Sequence, residues 1–219
     1  VSNGDMTHWQ DRAKARMYLW YPGQEGGTAA AEILFGAVNP SGKLPVSFET
    51  RWEDNPAFNH YYDADGDKRV TYGEGLLVGY RHYDTKNVKP NFAFGYGLSY
   101  TDFAFSDLKV RKTGSKKEPS YNVSFNVSNT GLIDGKEVAQ VYVRPVNPKV
   151  FRPYKELKGY DKKMVKAGET VRFDISLDKD AFSYYKTEIH DFGFDPGEYE
   201  ILVGNSSDNI LLRKTIRIK

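Results

Sequence analysis

Tyr121-Asn122-Val123-Ser124-Phe125-Asn126-Val127 alternates large apolar and polar residues without a break. Period-two alternation puts one set of side chains on each side of a strand, so this stretch reads as a strand with one buried face. The same rhythm recurs at Val171, Phe173, Ile175 and Leu177, and at Tyr199, Ile201 and Val203. Ala139 to Val143 and Leu211 to Ile218 add two more strand-length runs. Turn signals divide them: Asn129-Thr130-Gly131, Asp134-Gly135, Ala167-Gly168, Pro196-Gly197 and Asn205-Ser206-Ser207. About seven short strands over roughly 115 residues, from Phe103 onward, predict an antiparallel β-sandwich of immunoglobulin or fibronectin type III shape. The chain is therefore expected to be mainly β.

Upstream the rhythm changes. Ala15 to Tyr21 is a strand-length apolar run stopped by Pro22-Gly23. In Ala29 to Phe35, Ala30, Ile33 and Leu34 share one helical face, and Gly36 is placed to end the helix. After the turn cluster Asn39-Pro40-Ser41-Gly42, Leu44 to Phe48 resumes an extended run. This predicts one β-α-β unit, and a lone crossover leaves its sheet uncovered. Residues 1–50 are thus expected to be the end of an incomplete α/β domain. Residues 51–103 are irregular and aromatic-rich and read as a connector, with 104–219 as the sandwich.

Composition narrows the function. Of 219 residues, 39 % are hydrophobic and 27 % charged, as in ordinary globular chains, while the aromatic share of 15 % includes 16 Tyr. A formal net charge of +2 from mixed charges gives no nucleic-acid footprint. Without cysteine there is no disulfide, thiol nucleophile or thiolate metal site. No apolar run reaches the ~20 residues of a membrane-spanning helix. The Tyr- and Gly-rich composition favours a periplasmic or secreted setting over the cytoplasm.

Several longer motifs occur in order. Trp20-Tyr21-Pro22-Gly23-Gln24-Glu25-Gly26-Gly27, Ile33-Leu34-Phe35-Gly36 and Asn39-Pro40-Ser41-Gly42-Lys43-Leu44-Pro45 resemble the end of the α/β-sandwich domain of family-three glycoside hydrolases. Tyr72-Gly73-Glu74-Gly75, Val78 to Asp84 and Phe94 to Thr101 resemble the connector of that family. Arg152-Pro153-Tyr154-Lys155-Glu156-Leu157-Lys158-Gly159-Tyr160 and Pro196-Gly197-Glu198-Tyr199 resemble its fibronectin-like domain. The resemblance implies a retaining, exo-acting β-glycosidase of β-glucosidase type, in which one Asp attacks the anomeric carbon and a Glu serves as acid and base. Retention needs the two carboxyls ~5 Å apart, with the acid protonated near neutral pH. In the family the nucleophile lies in a Ser-Asp-Trp-like motif on an N-terminal barrel, and the acid/base precedes the segment where this chain begins. No Ser-Asp-Trp occurs here. No catalytic, cofactor-binding or metal residue is carried over, and no cofactor is implied. The implied partners are the barrel and α/β domains of the parent glycosidase, and a glycoside or oligosaccharide through it, with no nucleic acid and no membrane. The competing reading is a stand-alone β-sandwich module that binds carbohydrate or protein.

Other features admit a sharper and a plainer reading. Asp63, Asp65, Asp67 and Glu74 hold positions one, three, five and twelve of a calcium loop, with Lys68 where that loop needs Gly. An acidic turn explains the same residues. Gln24-Glu25-Gly26-Gly27 at a helix start offers N–H groups to an anion or hydroxyl, or simply a tight turn. Gly73 to Gly79 and Gly95-Tyr96-Gly97 lack nucleotide-loop spacing and are not expected to lead into a helix. His8, His60, His82 and His190 show no paired spacing. Asn122, Asn126 and Asn205 begin glycosylation sequons. Trp52, Tyr61 and Tyr62 are placed either to stack on sugars or to pack on a neighbouring domain.

Overall fold

The computed structural model describes residues 6, 9–63 and 65–219. Seven strands build the sandwich: β1 (Phe103–Lys112), β2 (Tyr121–Asn129), β3 (Gly135–Pro145), β4 (Glu156–Val165), β5 (Thr170–Leu177), β8 (Gly197–Gly204) and β9 (Ile210–Ile218). A small hairpin, β6 (Tyr184–Lys186) with β7 (Asp191–Gly193), precedes β8. One sheet has the order β1-β2-β5 and the other β4-β3-β8-β9, with antiparallel pairing throughout.

The alternation seen in the sequence becomes the core. Val123, Phe125 and Val127 from β2 are buried with Ala139, Val141 and Val143 from β3, Phe173 and Ile175 from β5, and Ile201 and Val203 from β8. Phe105, Phe125 and Phe173 stack in a row across the three-stranded sheet, with centroid spacings of 6.0 and 5.5 Å. Beyond Phe105 a bulge keeps β1 on the core. Its register against β2 shifts between Ser106 and Lys109, with Asp107 at a φ of +57°. The extra residue moves the inward set from Phe103 and Phe105 to Leu108 and Val110, all packed on the core.

The four-stranded sheet is covered on its outer face as well. Gln140, Tyr142 and Leu202 are almost fully buried, although they alternate with core residues. Their cover is the connector. Tyr80 stacks on Phe94 at 4.9 Å and meets Tyr142 edge-on at 5.9 Å. Gly95 passes directly over Gln140 at a φ of +82°, and a Cβ there would fall 2.3 Å from the amide nitrogen. Residues 39–43 extend the cover: Asn39 donates to the Asp134 carbonyl, Lys162 donates to the Ser41 carbonyl, and Lys43 pairs with Glu137 at 2.9 Å.

The expected β-α-β unit is realised only in its helix, α1 (Gly26–Leu34). The run Leu44 to Phe48 bonds to the connector instead of a parallel neighbour. Leu44 N donates to Tyr96 O, Gly95 N to Leu44 O, and Phe48 bridges Phe92 in antiparallel fashion. The run Ala15 to Tyr21 pairs with no strand among the described residues. A strand exists through its ladder partners, and the described residues supply none for this run. The connector also differs from an irregular strap, because it contains a two-turn helix, α2 (Tyr80–Lys86), ended by Asn87 in left-handed conformation.

Candidate functional site

The densest cluster of charge sits where α2 meets β4. Glu156 takes Arg152 on one oxygen, while Arg81 and Lys158 each approach the other to 3.7 Å. Burial opposes the charge on Glu156, but Arg152, Lys158 and Arg81 together hold its carboxyl below the usual range. Beside it, Lys155 Nζ lies 2.6 Å from Asp84 Oδ2. That oxygen has a charge partner but no aligned hydrogen bond. Burial pushes the Asp84 carboxyl up, and Lys155 offsets only part of this. Leu157 N donates to the Tyr80 hydroxyl at 2.8 Å and Tyr154 N to Thr85 Oγ1 at 2.9 Å, which pins the helix to the strand. A buried acid with a raised pKa is where acid–base chemistry is sought. Here Asp84 is capped by Lys155, whose ammonium in turn lies 5.6 Å from the Tyr142 ring centre. Both acids are consumed in holding α2 against the sandwich. Sequence reasoning missed this seam because Arg81 and Glu156 lie far apart in the chain. The one local signal was Arg152 four residues before Glu156.

The candidates singled out in the sequence do not assemble into one site. Asp63, Asp65 and Asp67 come together, each exposed, with oxygens within 4.8 Å of one another. Lys68 takes a φ of +64°, the left-handed conformation for which a calcium loop uses Gly. Glu74, the twelfth position, does not join the group, and its Oε2 is buried without a hydrogen bond. The carboxylates serve the turn: Asp63 accepts from Gly66 N and Lys68 N, and Asp67 from Arg69 N. Desolvation opposes the charge on Asp63, but the bonds from Lys68 N and Gly66 N, with the neighbouring Asp65 and Asp67 groups, together outweigh it and lower its pKa.

At the start of α1, Glu25 makes no side-chain cap, and Gly26 is buried against Pro22, where a Cβ would lie 2.6 Å from Cγ. Close packing explains that glycine. Gly79 does lead into a helix, contrary to expectation, because its φ of +58° turns the chain into α2. The glycine spacing remains wrong for a nucleotide, and α2 is only 7 residues long. His60 lies over Gly73, His82 packs on Tyr83, and His190 turns the β6–β7 hairpin, so these three share no site. His8 lies outside the described residues. The Asn122 and Asn126 amides donate to Asp174 and Asp107, and Asn205 Oδ1 accepts from Asn209. A cavity of about 80 Å³ between residues 145–150, Arg152, Tyr184 and residues 195–199 has room for a few waters.

What stands out on the surface is apolar. Tyr21, Leu34 and Phe35 are 81, 69 and 88 % exposed, and Met17, Leu19, Trp20 and Val38 also face solvent. The helical face expected to be buried is half open: Ala30 and Ile33 are partly covered, while Leu34 is not. Trp52 meets Phe58 and Tyr61 edge-on, and Tyr61 meets Tyr62, in a second exposed cluster beside Asp63. Large apolar side chains exposed in such number mark a place where something else packs.

A covered sandwich, a connector sealed onto it and an open α/β-type segment define a recognisable class. Residues 1–100 match the glycosyl hydrolase family 3 C-terminal domain, and residues 137–207 match the fibronectin type III-like domain. The chain corresponds to the C-terminal region of glycoside hydrolase family 3 enzymes. Over 210 residues it is 45 % identical to thermostable beta-glucosidase B of Acetivibrio thermocellus, covering 96 % of this chain and 28 % of that protein. It is 40 % identical to an exo-alpha-(1->6)-L-arabinopyranosidase of Bifidobacterium breve, covering all of this chain and 29 % of the relative. The structure of beta-glucosidase 3B from Thermotoga neapolitana in complex with glucose superposes with a TM-score of 0.88 at 36 % identity, over 96 % of this chain and 29 % of that one. The chain thus spans less than a third of the length of these relatives.

Proposed function

We propose that this chain is the structural, non-catalytic C-terminal region of a retaining exo-acting β-glycosidase, with the nucleophile and the acid/base outside it. The observation that carries this reading is the one-sided use of apolar surface. The sandwich is closed on its inner faces and under the connector, whereas the segment carrying Trp20, Tyr21, Leu34 and Phe35 presents large apolar side chains outward. Such a face fits cover by further parts of an α/β domain. The two buried acids of the seam, Asp84 and Glu156, are neutralised by Lys155 and by Arg152, Arg81 and Lys158, which leaves neither free as a nucleophile. The relatives include both a β-glucosidase and an arabinopyranosidase, so the proposal extends to terminal β-linked glucose or a similar sugar. In an assay of the 219-residue chain on 4-nitrophenyl β-D-glucoside, no turnover above buffer is expected. Turnover that scales with protein concentration would refute the reading.

A further inference from the structure

β1 and β9 are edge strands of different sheets, and they lie side by side where the two sheets meet. Their facing toward solvent is strongly basic. Lys109, Arg111 and Lys112 on β1, and Arg213, Lys214 and Arg217 on β9, are all exposed. No acid interrupts residues 109–112 or 213–217. The chain as a whole holds 31 basic and 29 acidic residues, so the excess is local. Among the described residues only Arg213 of the six has an acidic partner, Glu200 at 3.6 Å, and Glu200 also binds Arg144. Of the acids nearby, Asp107 accepts from Asn126 and Glu118 pairs with Lys179, while Glu198 stands opposite Arg217 in the register.

Four of these cations lie on the side of their strand away from the core. Val110, Leu212 and Ile216 pack on the core. Lys109 and Arg111, like Arg213 and Arg217, therefore recur on the opposite side at multiples of two residues, or steps of ~7 Å. Cations on an edge strand also discourage a foreign strand from adding to the sheet, and if that were their only role no ligand would bind.

We propose that this edge binds an acidic polysaccharide of the polyuronate kind, lying along the strands. Residues 109–112 and 213–217 contain no aromatic ring on which a base could stack, which disfavours single-stranded nucleic acid. Leu211 is the one exposed apolar side chain of β9, too little for insertion into a membrane surface. The choice of a glycan rests on the glycosidase reading; the basic edge itself does not.

Affinity electrophoresis of the 219-residue chain through gels containing sodium polygalacturonate tests this. Retardation is expected at low salt, with apparent affinity about tenfold weaker at 200 mM than at 50 mM salt. The neutral glucan laminarin should cause none. The variant K109E/R111E/R217E should migrate as if no polymer were present, with an unchanged thermal midpoint, and K109Q/R217Q should fall between it and the parent. Unchanged mobility of the parent chain, or equal retardation of the charge-reversed variant, overturns the proposal. So does tighter binding to single-stranded DNA or to vesicles with anionic headgroups. None of these results bears on hydrolysis of the chromogenic glucoside, so the two readings fail separately.

Discussion

The sandwich and the first fifty residues use apolar side chains in opposite ways. In the sandwich, Val123, Phe125 and Val141 are at most 1 % exposed, and even the outward residue Tyr142 is sealed under the connector. In the first fifty residues, Phe35 and Tyr21 stand more than 80 % exposed. Hydrophobic burial scales with the area removed from water, so the first region stabilises itself and the second does so only once covered. The energy of this fold therefore resides in the sandwich and in the connector sealed onto it.

The largest effect is expected in the core. Phe125→Ala empties the centre of the stack between Phe105 and Phe173 and should lower stability by about 3–5 kcal/mol. Urea denaturation measures it, and a loss below ~1 kcal/mol would mean the sandwich is not the stabilising unit.

The seam comes next. Glu156→Gln leaves Arg152, Lys158 and Arg81 without their shared charge and should lose about 2–3 kcal/mol at pH 7. The sign of its pH dependence follows from the lowered pKa. Glu156 contributes stability above the ordinary carboxylate range of about 4.3, and the contribution fades as pH falls through the lower folded value. Urea midpoints of parent and variant should therefore draw together as pH falls below the ordinary carboxylate range. Divergence there would contradict the ion-pair account. Asp84 runs the other way, since its raised pKa means that its charge opposes folding as pH rises.

The smallest effect is predicted on the open face. Leu34→Ser with Phe35→Ser should change stability by no more than about 0.5 kcal/mol while reducing binding of the dye 8-anilinonaphthalene-1-sulfonate. A loss above ~1 kcal/mol would show that these side chains already support the fold.

The same contrast governs what was legible in the sequence. Alternation at Tyr121 to Val127 predicted β2 because a strand buried on one side writes its own pattern. The seven-strand sandwich followed from repeats of that pattern and the turns between them. Ala15 to Tyr21 carried a strand-like pattern too, yet pairing is a property of neighbours, and no strand among the described residues meets it. Leu44 to Phe48 found a partner, but it was the connector. The helix α2 was hidden because its 7 residues are too few to show a periodic face. At the candidate sites, the spacing of Asp63, Asp65 and Asp67 was readable and the three do converge, while Glu74 folds away. The seam was not readable, since nothing in a linear sequence says which of 31 cations will meet Glu156. The basic edge was invisible for the same reason, because β1 and β9 become neighbours only when the sheets close.

Hydrogen–deuterium exchange of the 219-residue chain, read by mass spectrometry of its peptides, compares the two regions in one experiment. Peptides from β2, β3 and β8 should exchange only through global unfolding, whereas the peptide spanning Met17 to Tyr21, which has no ladder bonds among the described residues, should exchange within minutes. Protection of residues 17–21 equal to that of β2 would contradict the account, for it would mean that the opening segment is already closed by this chain alone.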